Sequence, residues 1–299
     1  MAVAVVTDST TYLPAGLAQR HRIRVVPLHV LLDGSSRLDV IDLGPAELAE
    51  AMHRKRPVST SMATPHELSV VYRRALHDGA TAVVSVHISS KLSGTYESAL
   101  SAAQEVGSNL VHVVDSGSAG MGLGFAVLAA AQAAEQGADP FTVAQVAADT
   151  AARTRTMLCV ETLEWLRRGG RIGAAQALLG TALAIKPLLH VVDGRIVPLE
   201  KVRTMGRAVA RMVDHAVEIA GSGPADVAVH HLGAPDRAAE IAEQLRRRVP
   251  GLRSCHISEI GAVIGAHTGP GAVAVVVLPG GITPVSTAPW RSGVDLFRG

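Results

Sequence analysis

The sequence predicts an α/β protein of two domains, the first a mostly parallel sheet with flanking helices and the second an α+β unit. Three observations support this. Short runs rich in Val alternate with helical spacing through the first half of the chain, the pattern of buried parallel strands joined by crossover helices. Asp193-Gly194 between β-branched runs is a hairpin signal, and it opens a second half in which hairpins and helices come in runs. A length of 299 residues suffices for two ordinary domains, each with its own core. The expected division is 1–155 and 156–280, followed by an extension at 281–299 rich in Pro, Gly, Ser and Thr.

Taken in order, residues 3–6 read as a buried strand that stops in the polar turn Thr7-Asp8-Ser9-Thr10. Pro14 then lies in the first turn of a short helix reaching about Arg20. Residues 23–32 form a second strand, in which Pro27 marks an edge or a bulge. Helical spacing follows over 42–52, then an extended hydroxyl-rich loop at 58–65, then a helix from Pro65 through Asp78. The apolar run 80–86 is a strand that passes through Ser89-Ser90-Lys91-Leu92-Ser93 into a helix opening after Gly94 and ending near Val106. Residues 110–114 are a strand ending in Asp115-Ser116, and a long helix is expected over 123–136, closed by Gly137. Hydroxyls and carboxylates thus gather at strand C-termini, where parallel α/β sheets bind ligands.

The second unit starts near Arg153, with a strand at 156–160, a helix at 161–168 and a Gly-rich break at 169–173. An apolar stretch at 174–183 precedes a hairpin of 185–192 with 195–199. A helix at 205–220, a strand at 225–231, a helix at 235–248 and strands at 254–260 and 273–278 complete the pattern.

Composition excludes several functions. The net charge of +2 is spread thinly, and aromatics are only 3% of residues and never interleave with Arg, so neither the basic patch nor the stacking platform of a nucleic-acid binder is present. Cys159 and Cys255, without CxxC spacing, read as reduced and buried thiols of a cytoplasmic protein. No export signal is expected, since the N-terminus enters a strand pattern directly, and the apolar runs are strand-length, short of a transmembrane segment. His230 and His231 are adjacent and point to opposite strand faces, and HExxH is absent, so no metal is expected. The glycines at 117–124 follow a strand and open a helix, but Phe125 stands where a dinucleotide fingerprint needs Gly or Ala, leaving close packing as their use. No cofactor is called for, and no Walker A pattern occurs.

Residues 85–99 carry the strongest chemical signal. A buried strand feeding a helix N-terminus leaves outward-pointing N–H groups where the helix dipole favours negative charge, and Ser89, Ser90, Ser93 and Thr95 add hydroxyl donors with Lys91 the one full charge. An ordinary helix cap accounts for the same residues. His267 lies in the Gly-rich segment 264–271, expected as a loop ahead of the last strand, where a bland loop histidine is the alternative. Ser93, His267 and Asp115 could also make a serine hydrolase acting on acyl esters, with Ser93 as nucleophile, although Ser93-Gly94 lacks the G-x-S-x-G elbow.

A set of motifs then appears in a specific order: Val5-Val6-Thr7-Asp8-Ser9-Thr10, Val26-Pro27-Leu28, Thr60-Ser61, Ser89 through Tyr96, Val114-Asp115-Ser116, Gly169-Gly170-Arg171-Ile172, Lys186-Pro187-Leu188, Lys201-Val202-Arg203-Thr204 and Gly265 through Gly271. Over roughly residues 3–278 this resembles the DegV family of bacterial fatty-acid-binding proteins, some of which are the acyl-carrying subunit of a two-component fatty acid kinase. The resemblance implies a long-chain fatty acid in the cleft between two domains, its carboxylate held by Thr60, Ser61, Ser93, the N–H of Gly94 and His267. It implies a carrier with no catalytic residue of its own, and contact with an ATP-dependent kinase subunit through Arg171 and Arg203. One departure stands out: family members read Thr-Ser-Gln-Pro-Ser, whereas Met62-Ala63-Thr64-Pro65 follows Thr60-Ser61 here.

Overall fold

The structure, a computed structural model, describes residues 2–178 and 186–283. Part of the expected apolar stretch 174–183, Ile185 of the hairpin and the extension from residue 284 onward lie outside the described residues.

The chain opens with β1 (Val3–Asp8), a 3-10 turn at Ser9–Thr11 and α1 (Leu17–Arg20). It continues through β2 (Arg24–Val26), β3 (His29–Leu32), β4 (Ser35–Leu38), α2 (Pro45–His53) and β5 (Val58–Ser61). Then come α3 (Pro65–His77), β6 (Ala82–His87), α4 (Thr95–Val106), β7 (Val111–Asp115), α5 (Met121–Glu135) and α6 (Pro140–Arg153). The second half runs β8 (Arg155–Cys159), α7 (Glu164–Arg168), a 3-10 segment at Gly173–Leu178, β9 (Lys186–Val192), β10 (Arg195–Val202), α8 (Met205–Ala220) and β11 (Ala225–His231). It closes with α9 (Pro235–Arg248), β12 (Leu252–Glu259), α10 (Ala262–Thr268) and β13 (Val273–Pro279).

Strands β2-β1-β6-β7 form a wholly parallel sheet, as the alternation of strands and helices predicts. The six-stranded sheet runs β10-β9-β8-β13-β11-β12 and is antiparallel except for the β11–β12 pair. All strands of the first sheet lie between Val3 and Asp115, and all of the second between Arg155 and Pro279. Helix α5 is shared by both: its apolar residues pack with Val5, Val84 and Val86 of the parallel sheet and with Ala228, Val276 and Leu278 of the other. A helix that is apolar all round has to be enclosed in this way. Its glycines permit the approach, since a Cβ on Gly122 would lie 2.0 Å from Ser118 Oγ and 2.6 Å from Thr156 Oγ1.

Three expectations change, and one helix, α6, stands in a segment for which none was made. Pro27, which has no N–H for a ladder, divides the expected strand 23–32 into β2 and β3, and the latter joins a separate antiparallel sheet, β4-β3-β5. Residues 58–61 are therefore a strand rather than a loop, with Thr60 opposite Val30. The segment after Gly137 is helix α6, started by Asp139, whose carboxylate accepts from the amides of Phe141 and Thr142, and by Pro140 at the first helical position. Residues 262–268 are helix α10, with Gly261 and Gly269 as its caps. The Asp193-Gly194 turn forms as expected, both residues having positive φ (49° and 74°), which the twist of a two-residue hairpin demands.

Candidate functional site

The loop after β6 is held from below by a buried polar chain. Strands β1 and β6 are parallel neighbours and end side by side, so Asp8 and His87 meet: Asp8 Oδ2 lies 3.0 Å from His87 Nδ1 and accepts from the Ile88 amide at 3.0 Å. His87 Nε2 lies 2.7 Å from Ser85 Oγ, which also accepts from the Tyr72 hydroxyl at 2.9 Å. Ser85, His87 and Asp8 are hydrogen-bonded in the order of a hydrolytic triad, yet all three are fully buried, out of reach of a substrate, and they tie the two strand ends together. From the other sheet, the hairpin tip docks on the same loop, where Ser89 Oγ donates to the Gly194 carbonyl at 2.9 Å.

Helix α4 then begins at Gly94 without a side-chain cap, and among the described residues the Gly94 N–H has no acceptor. Ser93 Oγ lies 2.9 Å from Thr95 Oγ1 and accepts from the Thr95 amide at 3.3 Å. Across from this helix start, β5 presents Thr60, whose Oγ1 is 2.8 Å from His267 Nε2 on α10. Residues 207 apart in sequence thereby form one pair.

These groups lie on a cavity of ≈ 330 Å³. All five residues expected to hold a ligand, Thr60, Ser61, Ser93, Gly94 and His267, line it. Its remaining walls are largely apolar and come from both halves of the chain: Leu28, Ile88 and Leu92 from the first, and Leu158, Leu166, Ile196, Val263, Ile264 and Val273 from the second. Polar atoms converging within an apolar cavity of this size are the usual form of a small-molecule site.

Burial drives the pKa of His267 down to about 4, and the nearby Arg171 guanidinium acts in the same direction, so the imidazole is neutral at pH 7. Its Nδ1 is buried without a partner, and a Cβ on Gly169 would lie 1.9 Å from it, so that edge of the ring is pressed against backbone. An unpartnered lone pair is left there more readily than an unpartnered N–H would be accommodated, which puts the ring proton on Nε2. Thr60 Oγ1 accepts that proton, and its own hydroxyl hydrogen is then free to donate.

Arg171 lines the cavity as well, its Nε donating to the Leu92 carbonyl at 2.9 Å and its Nη1 to the Gly169 carbonyl at 2.7 Å. Arg203 does not line it and is exposed, just past β10. Asp115 is occupied elsewhere, accepting from the amides of Ser90 and Gly117, so it does not orient His267 as a hydrolase triad requires. Met62, Thr156 and His230 are lining residues that the sequence reading did not single out for this site. Met62 carries the departure from the family pattern, and its Sδ sits 2.6 Å from where a Cβ on Gly94 would be. Among the described residues no group of three or more His, Cys, Asp or Glu could hold a metal ion.

The family model described as "Uncharacterised protein, DegV family" matches residues 2–280. The chain belongs to the DegV family. A DegV domain-containing protein of Streptomyces coelicolor is 52% identical over 275 residues, covering 92% of this chain and 98% of the relative. A fatty-acid-binding DegV family protein from Thermus thermophilus superposes with a TM-score of 0.89 at 35% identity, covering 93% of this chain and 100% of that one. DegV of Bacillus subtilis, a fatty acid binding protein, gives 0.84 at 33% identity, covering 93% and 99%. The two-domain α/β architecture is thus that of DegV proteins. No helix among the described residues is long and apolar enough to cross a membrane.

Proposed function

We propose that this DegV protein binds a long-chain fatty acid in the cavity, between units 1–155 and 156–280, and presents the carboxylate in the cytoplasm to a separate ATP-dependent kinase subunit. The convergence of the Gly94 N–H, Ser93 and the Thr60–His267 pair on one otherwise apolar cavity carries this reading. The solved DegV proteins that bind fatty acids support it.

The tail dominates affinity. At ~0.8 kcal/mol per buried methylene, a chain of about fifteen contributes on the order of 12 kcal/mol before ordering costs, against about 1.5–3 kcal/mol for each hydrogen bond to a charged head group. A neutral His267 suits a carboxylate that must stay reactive, because hydrogen bonds orient the head without forming a tight ion pair. Arg171, occupied with two backbone carbonyls, shapes this end of the cavity, and Arg203 on the exposed face is offered to the kinase subunit.

Mass spectrometry of lipid extracted from the folded protein tests the ligand class, and finding no acyl lipid after incubation with fatty acids overturns the reading. Ser93→Ala is expected to weaken palmitate binding about tenfold without abolishing it. A fluorophosphonate probe should leave Ser93 unlabelled; covalent labelling there would favour the hydrolase.

A further inference from the structure

Asp39 does not line the cavity, yet its carboxylate is the most heavily used hydrogen-bond acceptor near α10. It follows β4, is 1% exposed, and accepts four hydrogen bonds. Oδ1 takes the amides of Ala262 at 2.8 Å and Val263 at 3.2 Å. Oδ2 takes the hydroxyls of Ser9 at 2.8 Å and Tyr12 at 2.9 Å, and the Tyr12 oxygen accepts the Ile264 amide at 3.2 Å.

The first three amides of α10 are therefore satisfied by side chains from the beginning of the chain. Its own N-cap, Gly261, has no side chain to offer, and a Cβ there would lie 2.5 Å from Tyr12 Cε1 and 2.7 Å from Asp39 Oδ1. A helix of seven residues does not hold itself, so its orientation depends on what grips its ends. A carboxylate at the N-terminus also matches the helix dipole. The residue after Asp39 is Val40 with φ 68°, a conformation β-branched residues avoid, which shows how firmly this loop is constrained.

We propose that Asp39, assisted by Tyr12, is the positioning residue for His267: it fixes the rotation and height of α10 so that Nε2 at the far end meets Thr60. The inference rests on the proposed carboxylate site, and its consequence is that head-group recognition, but not tail binding, depends on a side chain outside the cavity.

The test uses the full chain and two probes, palmitate and 1-hexadecanol, which share a tail and differ in the head. Wild type is expected to prefer palmitate by about tenfold or more. Asp39→Ala and His267→Ala should each remove that preference while hexadecanol affinity stays within about twofold, and the double variant should lose no more than either single one. Asp39→Asn, which keeps one acceptor oxygen, and Tyr12→Phe should fall between, and they decide the matter if Asp39→Ala does not fold. Imidazole nitrogen chemical shifts of His267 in ligand-free protein should report loss of the Thr60 bond in the Asp39 and Tyr12 variants. Unchanged preference and unchanged His267 shifts in folded Asp39 variants overturn the proposal. Loss of the His267–Thr60 signature in a protein whose wild type does not distinguish the two probes sustains the positioning role and overturns the carboxylate site instead.

Discussion

Replacing Gly169 by alanine probes the head-group end more cleanly than deleting any residue that touches it. Gly169 has φ −75° and ψ −7°, ordinary for alanine, so the substitution brings no backbone strain and by itself would stabilise the fold by about 0.4–1 kcal/mol. The new methyl, however, would sit 1.9 Å from His267 Nδ1 and 2.7 Å from its Cε1. Restoring ordinary contact at about 3.5 Å needs the ring to shift by more than ~1 Å, which disturbs the geometry of its 2.8 Å bond to Thr60. Overpacking of this kind costs about 1–3 kcal/mol, so the net loss of stability is on the order of 1–2 kcal/mol and the protein stays folded. Calorimetric titration should show palmitate affinity reduced about tenfold with hexadecanol affinity unchanged. Gly170→Ala is the control: φ is 70° and nothing lies within 4 Å, so it should lower thermal stability and leave the head-group preference intact. A folded Gly169→Ala protein that binds palmitate as wild type does would refute the role given to the His267–Thr60 pair.

Acid sensitivity should follow from histidines that are buried neutral. Burial lowers both His230 and His267 to about 4, whereas the unfolded chain protonates them near 6.5. Between those values the unfolded state binds more protons, so their contribution is whole above pH ~6.5 and is lost as the pH falls towards 4. For His230 the loss by pH 5 is about 2 kcal/mol, and urea midpoints compared at pH 7 and 5 should show a smaller difference in His230→Asn than in wild type. Asp39, raised by burial, acts with the opposite sign, its contribution present at low pH and lost as the pH rises through its folded value. Val40→Gly should raise stability by about 1 kcal/mol, because φ 68° strains valine more than glycine's added chain entropy costs, and Val40 is 60% exposed. A lower thermal midpoint in that variant would show that the valine side chain makes a contact that matters.

Local chemistry made much of this protein legible. Apolar runs of strand length and their polar ends marked the parallel sheet, Asp193-Gly194 marked the hairpin, and the hydroxyls around Ser93 marked an anion-ready helix start. Where the expectations differ, two local rules competed. The Gly-rich segment 264–271 read as loop, whereas its first part belongs to a helix, Ala262 to Thr268, that contains Gly265, ends at Gly269 and has its first amides satisfied from a distance. Val58 to Ser61 read as loop because Ser and Thr outnumber apolar residues, and only pairing with β3 makes it a strand.

By itself, then, the sequence determined the elements whose stability is local: turn types, caps, strand and helix periods, and the motif order that marks a DegV protein. Only the tertiary structure decided which of the hydroxyls and histidines share a cavity, that Asp115 is committed to turn amides, and that Asp39 grips α10. The first and last of these depend on groups more than 200 residues apart, the side chains of Thr60 and His267 and the Asp39 carboxylate with the Ala262 amide, meeting at hydrogen-bond distance. Periodicity reports which face of an element is buried. It carries no information about which other element will cover that face, because that choice is made by the packing of the whole chain.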